Sequence, residues 1–104
     1  MIIQINTDKT ISGEKRISNF FSSQIVEALK RFESHITRIE VHLKDESGKK
    51  HGTNDITCLI EARLEGRTPI AITNQANTTD IAITGAIDKI KTSIESILGK
   101  IQKH

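Results

Sequence analysis

The sequence predicts an α+β protein, a two-layer β-α-β-β-β-α sandwich in which both helices cover one face of a four-stranded mixed sheet. Two segments repeat their apolar residues with the period of an α-helix, and four shorter ones are apolar or alternating, as strands are. Residues typical of turns and loops separate most of them. At 104 residues, the chain is long enough for one domain with a single core.

The first half of the chain predicts a strand, a helix and a second strand. Residues 2–6 (IIQIN) are short, apolar and β-prone. From Ser12 to about Glu33 the apolar residues recur at about 100° per residue, which predicts an amphipathic helix with Ser12 as its N-cap. Its predicted core face contains Ile17, Phe20, Phe21, Ala28, Leu29 and Phe32. Alternation over residues 39–44 then predicts a strand with one exposed face.

The second half predicts two more strands and a second helix. Residues 45–55 are rich in glycine and charge and predict a hairpin loop before an alternating strand over 56–64. EGRTP (65–69) predicts a turn, and PIAIT (69–73) predicts the fourth strand. The next helix begins with Thr78 or Thr79 as its N-cap and Asp80 in its first turn. The initial strand-helix-strand order predicts that the first two strands are parallel and the later pairs antiparallel.

Composition argues against several classes of protein. Fifteen Lys and Arg against 13 Asp and Glu give a net charge of +2, which does not by itself indicate a nucleic-acid-binding protein. Cys58 is the only cysteine, which excludes a disulfide within the chain and a Cys-rich metal site. No segment approaches the about 18 continuous apolar residues of a membrane span, and the N-terminus lacks the pattern of a signal peptide. We therefore expect a cytoplasmic protein without a membrane partner.

The sequence contains no recognisable catalytic or cofactor-binding motif. The four histidines show no ligand spacing, and no cluster of Cys or carboxylate residues accompanies them. Cys58 lies on the apolar face of its strand, which predicts a buried, inert thiol, and His42 lies on the polar face of its own strand. We expect no enzyme activity, no cofactor, no metal and no small-molecule substrate.

The charged flanks of the two predicted helices are the main candidate for a functional surface. Along one border of the apolar arc of the last helix lie Lys89, Ser93, Ser96, Lys100 and, slightly further round, Lys103. Asp88 and Glu95 lie towards the opposite border. On the first helix Arg16 and Arg31 share a flank with Glu27 between them, and Lys30 lies further out. By themselves these patterns fit either an RNA-binding surface or ordinary solvated helix faces, because Lys near a helix C-terminus also complements the helix dipole.

Two segments and the order of the elements resemble the ribosome hibernation promoting factor family, which includes ribosome-associated protein Y. The segments are ALKRFESHITRIEVHL (28–43) and TTDIAITGAIDKIKTSI (78–94). The most recognisable feature is Asp80 followed by Ala86-Ile87-Asp88 at the start of the last helix. The resemblance covers nearly the whole chain. It implies a single domain over residues 1–104, without the C-terminal dimerisation domain of the long family members.

The resemblance implies a bacterial stress factor that binds small-subunit rRNA, overlaps the tRNA and mRNA channel and holds ribosomes inactive. The candidate RNA-binding residues are Arg16, Lys30, Arg31, Arg38, Lys49, Lys50, Lys89, Lys100 and Lys103. Compared with the family pattern, serines fill two usually basic places on the last helix, and Ile25 and Ala28 stand at usually basic places on the first. Two hypotheses remain: a divergent, weaker ribosome binder, because phosphate contacts supply most RNA affinity, or a protein-interaction or regulatory module without ribosome binding.

Overall fold

The structure, a computed structural model, describes residues 1–7, 14–45 and 56–102, without the side chains of residues 14–15 and 100–102. Its elements are, in chain order, β1 (Ile2–Thr7), α1 (Glu14–Leu29), β2 (Ile36–Asp45), β3 (Ile56–Leu64), β4 (Ile70–Ala76) and α2 (Thr79–Gln102). A 3₁₀ helix, Lys30–His35, joins α1 to β2. The predicted order of strands and helices is confirmed.

The four strands form one sheet in the order β1-β2-β3-β4. β1 is parallel to β2, whereas β2 with β3 and β3 with β4 are antiparallel, as predicted. Both helices cover the same face of this sheet, α1 towards β1 and α2 across β3 and β4. They run side by side in the same direction, because Arg16 and Asp80 line the same cavity near their N-terminal ends and Arg31 pairs with Glu95 further along.

The core lies between the sheet and the helices and is built mainly from Ile, Leu, Ala and two Phe. Its largest fully buried side chains are Phe21, Phe32, Ile25, Leu29, Ile39, Ile60, Ile83, Ile90, Ile94, Val41 and Cys58. Except at the start of β2, the strands contribute alternate residues to this layer, and each helix contributes one apolar stripe, as the two periodicities require. The other face of the sheet is left open and carries mostly polar side chains.

The first helix differs from its prediction in two respects. α1 ends at Leu29 and continues as a 3₁₀ helix, whereas the sequence predicts an α-helix to about Glu33; the predicted N-cap Ser12 lies outside the described residues. Phe20, predicted in the core, is 54% exposed, and Ile25 is buried instead. The buried stripe repeats every four residues around Ile25, which places Phe20 at its border.

A β-bulge explains why strict alternation does not describe the start of β2. The pairing of β2 with β3 shifts between Ile36 and Arg38, so that Thr37 is the additional residue. Its hydroxyl donates a hydrogen bond to the Arg63 carbonyl at 3.0 Å. Ile36 and Ile39, three residues apart, therefore both reach the core, and Arg38 lies on the open face.

The start of α2 follows the predicted capping. The Ile81 N–H donates to Thr78 Oγ1 at 3.2 Å, which identifies Thr78 as the N-cap. β4 extends to Ala76, further than the predicted 73, and its residue Asn74 reaches across to this helix. Asn74 Nδ2 donates to the Ala82 carbonyl at 3.0 Å and to the Ile81 carbonyl at 3.4 Å. This contact fixes the first turns of α2 against the edge of the sheet.

Cys58 is fully buried on the core side of β3, and this burial raises the pKa of its thiol to about 12. The unfolded chain loses this proton near the ordinary pKa of 9.0, so the folded state holds it more tightly. The resulting stabilisation is fully present below about pH 9 and is lost as the pH rises towards 12, at a slope of about 1.4 kcal/mol per pH unit.

We expect the native thiol to resist alkylation at about pH 8 and to react when the chain is unfolded. Between about pH 8 and pH 10, the free energy of unfolding should fall by roughly 1 kcal/mol more in the wild type than in Cys58→Ala, because only the wild type carries this thiol. Urea unfolding of both proteins at both pH values measures this difference. An equal decline would contradict it.

Candidate nucleic-acid interface

Arg38 lies on the open face of the sheet, within a polar network and away from the helices. Its Nε donates to Glu40 Oε1 at 3.2 Å, and its Nη2 donates to Gln4 Oε1. Across β2 and β3, Arg38 stands beside Arg63 and Glu40 beside Glu61. Arg63 in turn lies 3.7 Å from Glu61 on its own strand. The two guanidinium groups and two carboxylates balance one another, so this part of the open face is not a positive patch.

The space between the two helices, here called the helix groove, contains two of the predicted RNA-binding residues. One wall carries Arg16, Phe20, Gln24 and Glu27 of α1 and Arg31 of the 3₁₀ helix that follows it, and the α2 wall carries Asp80, Thr84, Asp88, Lys91 and Glu95. The sequence correctly places Arg16 and Arg31 on one flank with Glu27 between them, but Arg31 belongs to the 3₁₀ helix and not to α1. The groove mixes cations with at least as many carboxylates, so it does not form a continuous basic strip.

Arg31 shows how the charges of the groove are paired. Its Nη1 lies 3.7 Å from Glu95 Oε2, in a pair whose side chains are 67% and 40% exposed. Its Cζ also lies 4.9 Å from the centre of the Phe32 ring. Exposed pairs of this kind contribute only about 0–1 kcal/mol, so a stronger anion displaces the carboxylate at little cost. Lys30 is exposed and lies four residues after Val26, on the same side of the chain. That side does not line the groove.

The opposite border of α2 faces the edge of the sheet at β4. Lys89 is exposed, and its Nζ donates to the Thr73 carbonyl at 3.2 Å. Lys89 and Ser93 line a cavity of about 410 Å³ together with Ile72, Asp88 and Thr92. On this border Ser93 is half-buried and Ser96 is exposed. The predicted electrical asymmetry of the helix is only partly present. Lys89 lies on the β4 side and Glu95 on the groove side, as predicted. Asp88, however, lines cavities on both sides, and the cation Lys91 lies on the groove side.

The turn between β3 and β4 brings a further cation to this border. Ile97, one helical turn beyond Ser93, lines a cavity with Arg67, Gly66, Thr68 and Pro69. Gly66 has φ 71°, a left-handed conformation that favours glycine and that closes the tight turn. Exposed Arg67 thus lies beside the border that carries Lys89. We call Lys89, Ser93 and Ser96 of α2 together with Arg67 the β4-side flank.

The predicted site residues therefore divide into separate groups. Arg16 and Arg31 share the helix groove, Lys89 lies on the β4-side flank, and Lys30 and Arg38 lie apart from both. Lys49, Lys50 and Lys103 lie outside the described residues, as does the side chain of Lys100, whose backbone belongs to α2. Their role in RNA binding stays a prediction.

Ile25, assigned by resemblance to a usually basic position, is only 1% exposed. That assignment is wrong in register, because the residue fills the core and cannot replace a cation at the surface. Sequence reasoning also missed Arg67 and Lys91. Nothing in a linear pattern indicates that Arg67 and Ile97 line the same cavity, since only the packing of α2 on β4 brings them to one place.

The described part of the chain contains no group of three or more His, Cys, Asp and Glu residues that could hold a metal ion. Among the same residues, no helix is long and apolar enough to cross a membrane.

Residues 5–102 match the family described as Sigma 54 modulation protein / S30EA ribosomal protein. The chain belongs to this family. The resemblance to ribosome-associated protein Y and its relatives is thereby confirmed. No curated protein shows significant sequence similarity to this S30EA-family chain.

Two solved structures share the fold of this S30EA-family chain. The N-terminal domain of Protein Y from Thermus thermophilus superposes with a TM-score of 0.68 at 17% identity, covering 93% of this chain and 99% of that one. A ribosomal subunit interface protein from Coxiella burnetii gives a TM-score of 0.67 at 14% identity, with 95% and 99% covered. At these identities the likeness establishes the fold, and the predicted α+β sandwich is confirmed.

Proposed function

We propose that this chain is a ribosome hibernation factor that binds small-subunit rRNA and occludes the tRNA and mRNA channel under stress. The observation that carries the proposal is the S30EA family match over residues 5–102. The fold shared with a ribosomal subunit interface protein supports it. Inhibition by occlusion requires a rigid body and an RNA-binding surface but no catalytic group, which fits a chain built around one compact apolar core.

The β4-side flank is the surface that we assign to RNA phosphates. Lys89 and Arg67 supply charge, and Arg also offers a planar fork that matches a phosphate. The hydroxyls of Ser93 and Ser96 are phosphate donors too, since Ser side chains commonly contact phosphate oxygens. Serines in place of the family's usual cations therefore weaken the Coulombic attraction for RNA phosphates. They still leave hydrogen-bond donors on the same border of α2.

The helix groove contributes less to phosphate binding in this proposal. Arg31 can exchange its exposed partner Glu95 for a phosphate, but the carboxylate then stays nearby and repels the same anion. Arg16 shares a cavity with Asp80, so a carboxylate also lies on the facing wall there. We therefore expect a modest affinity that depends on few phosphate contacts.

The proposal is tested by sedimentation of the purified chain with small ribosomal subunits over a range of salt concentrations. With two to four phosphate contacts, the logarithm of the affinity should fall with the logarithm of salt at a slope of about −1.5 to −3.5. Addition of the chain should also reduce translation in vitro. A chain that stays at the top of the gradient even at low salt contradicts the proposal. A protein partner that survives nuclease and high salt would instead support the protein-interaction module.

A further inference from the structure

A cavity of about 400 Å³ lies between the N-terminal turns of α1 and α2, at one end of the helix groove. It is lined by Arg16, Ile17, Phe20, Phe21 and Asp80. Ile17 and Phe21 belong to the core, whereas Phe20 is 54% exposed. The other two phenylalanines of the chain are buried, so Phe20 is the phenylalanine whose ring a ligand can reach.

The Phe20 ring is held in place by its neighbour. Its centre lies 4.9 Å from that of the Phe21 ring, and the two planes meet at 68°, an edge-to-face contact. Phe21 is only 1% exposed and fixed by the core. An aromatic ring positioned in this way loses little conformational freedom when a flat ligand stacks on it.

The exposed groups of this cavity match the parts of a nucleotide. An aromatic ring stacks on a base, which is the usual way in which proteins bind unpaired RNA bases. The Arg16 guanidinium lies one helical turn before Phe20 and can pair with a phosphate. The Asp80 carboxylate only accepts hydrogen bonds, so it favours a ligand that presents N–H or O–H donors. A phosphate alone would satisfy Arg16 but would be repelled by Asp80.

We propose, building on the RNA-binding function proposed above, that this cavity binds the base of one unpaired guanosine. On its Watson–Crick edge guanine presents two adjacent donors, N1–H and the N2 amino group, which the two oxygens of a carboxylate accept side by side. Adenine and cytosine each present one amino donor beside an acceptor nitrogen. Uracil presents one N–H between two carbonyl oxygens, which a carboxylate repels. The cavity thus adds base selectivity that phosphate contacts do not provide.

The test is a titration of the full chain with the 5′-monophosphates of guanosine, adenosine, cytidine and uridine, followed by backbone amide NMR. We expect saturable shifts at Arg16, Phe20 and Asp80, with the tightest binding for guanosine monophosphate. Phe20→Leu keeps an apolar side chain but removes the ring, and should weaken all four nucleotides by about tenfold. Asp80→Asn should remove the preference for guanine. Val26→Ala, a change at an exposed apolar position of α1 that does not line the cavity, is the matched control and should bind as wild type.

Equal affinity for the four nucleotides, or wild-type binding by Phe20→Leu, overturns this inference. Sedimentation with small subunits judges the proposed function separately. There, Phe20→Leu should bind about tenfold more weakly with an unchanged salt slope, because it removes no charge. If the wild type and Phe20→Leu bind small subunits equally well, the guanine site is overturned and the ribosomal function is not. Wild-type protein that prefers guanosine monophosphate but does not bind subunits overturns the ribosomal function and leaves the site supported.

Discussion

Replacement of both Lys89 and Arg67 by glutamate should release the chain from the small ribosomal subunit. The two side chains lie beside the same border of α2, and each is exposed. Loss of two cations should reduce the salt slope by about 1.5 to 2 units, and the affinity should fall on the order of a hundredfold once the two new carboxylates repel phosphate. Sedimentation at two or more salt concentrations measures both quantities.

A matched control makes this result specific for the β4-side flank. Lys44→Glu with Arg63→Glu changes the net charge by the same amount on the open face of the sheet, on the side away from the helices. If general electrostatic attraction were sufficient, both double variants would lose affinity equally. We expect the control to retain most of its binding. Comparable losses in the two variants would place the RNA surface elsewhere. Because Lys89 also bonds the Thr73 carbonyl, the melting temperature of each variant should be recorded.

The substitution Gly85→Ala should destabilise the fold by about 2 kcal/mol, although alanine normally stabilises a helix by about 1 kcal/mol relative to glycine. A Cβ at this position would lie 2.3 Å from Asn74 Nδ2 and 2.9 Å from its Cγ. Asn74 cannot simply turn aside, because its amide is hydrogen-bonded to the Ala82 carbonyl. Either this bond breaks or α2 moves away from β4. We expect the melting temperature to fall by roughly 10 °C.

Gly99→Ala is the matched control, since it is the same substitution in the same helix. Among the described residues a Cβ there would have no neighbour within 4 Å, so helix propensity alone should act and stabilise the protein by about 0.5–1 kcal/mol. In a double-mutant cycle, Asn74→Ala should remove most of the penalty of Gly85→Ala. Thermal or urea unfolding of the wild type, Gly85→Ala, Asn74→Ala and the double variant measures the coupling between the two positions. Equal effects of the two glycine substitutions would show that the approach of Asn74 to α2 does not limit stability.

Within single elements the sequence is a good guide to this protein. The alternation over 39–44 correctly separates the core side of β2 from its open face, and Thr78 is the N-cap as its residue type indicates. Cys58 is buried, as expected from its place among apolar residues. These features depend on the chain within a few residues, where helix and strand geometry fix the direction of each side chain.

Errors arise where two elements meet. Phe20 has a helical position close to the core stripe, yet the approach of α2 leaves it at the rim of a cavity. The assignment of Ile25 to a surface position fails for the same reason, since the centre of the stripe is set by how α1 lies on the sheet. The bulge at Thr37 leaves no trace in the alternation that begins at Ile39.

The sequence by itself determined the order of the elements, the parallel first pair of strands, and the distribution of charge around each helix. Only the tertiary structure decided what each border of a helix meets: Glu95 faces Arg31 across the groove, and Ile97 lies beside Arg67. The physical reason is that helical periodicity fixes the angle of a side chain about its own axis. The partner at that angle depends on how the helix is rotated and placed on the sheet, and that is decided by packing of the whole core.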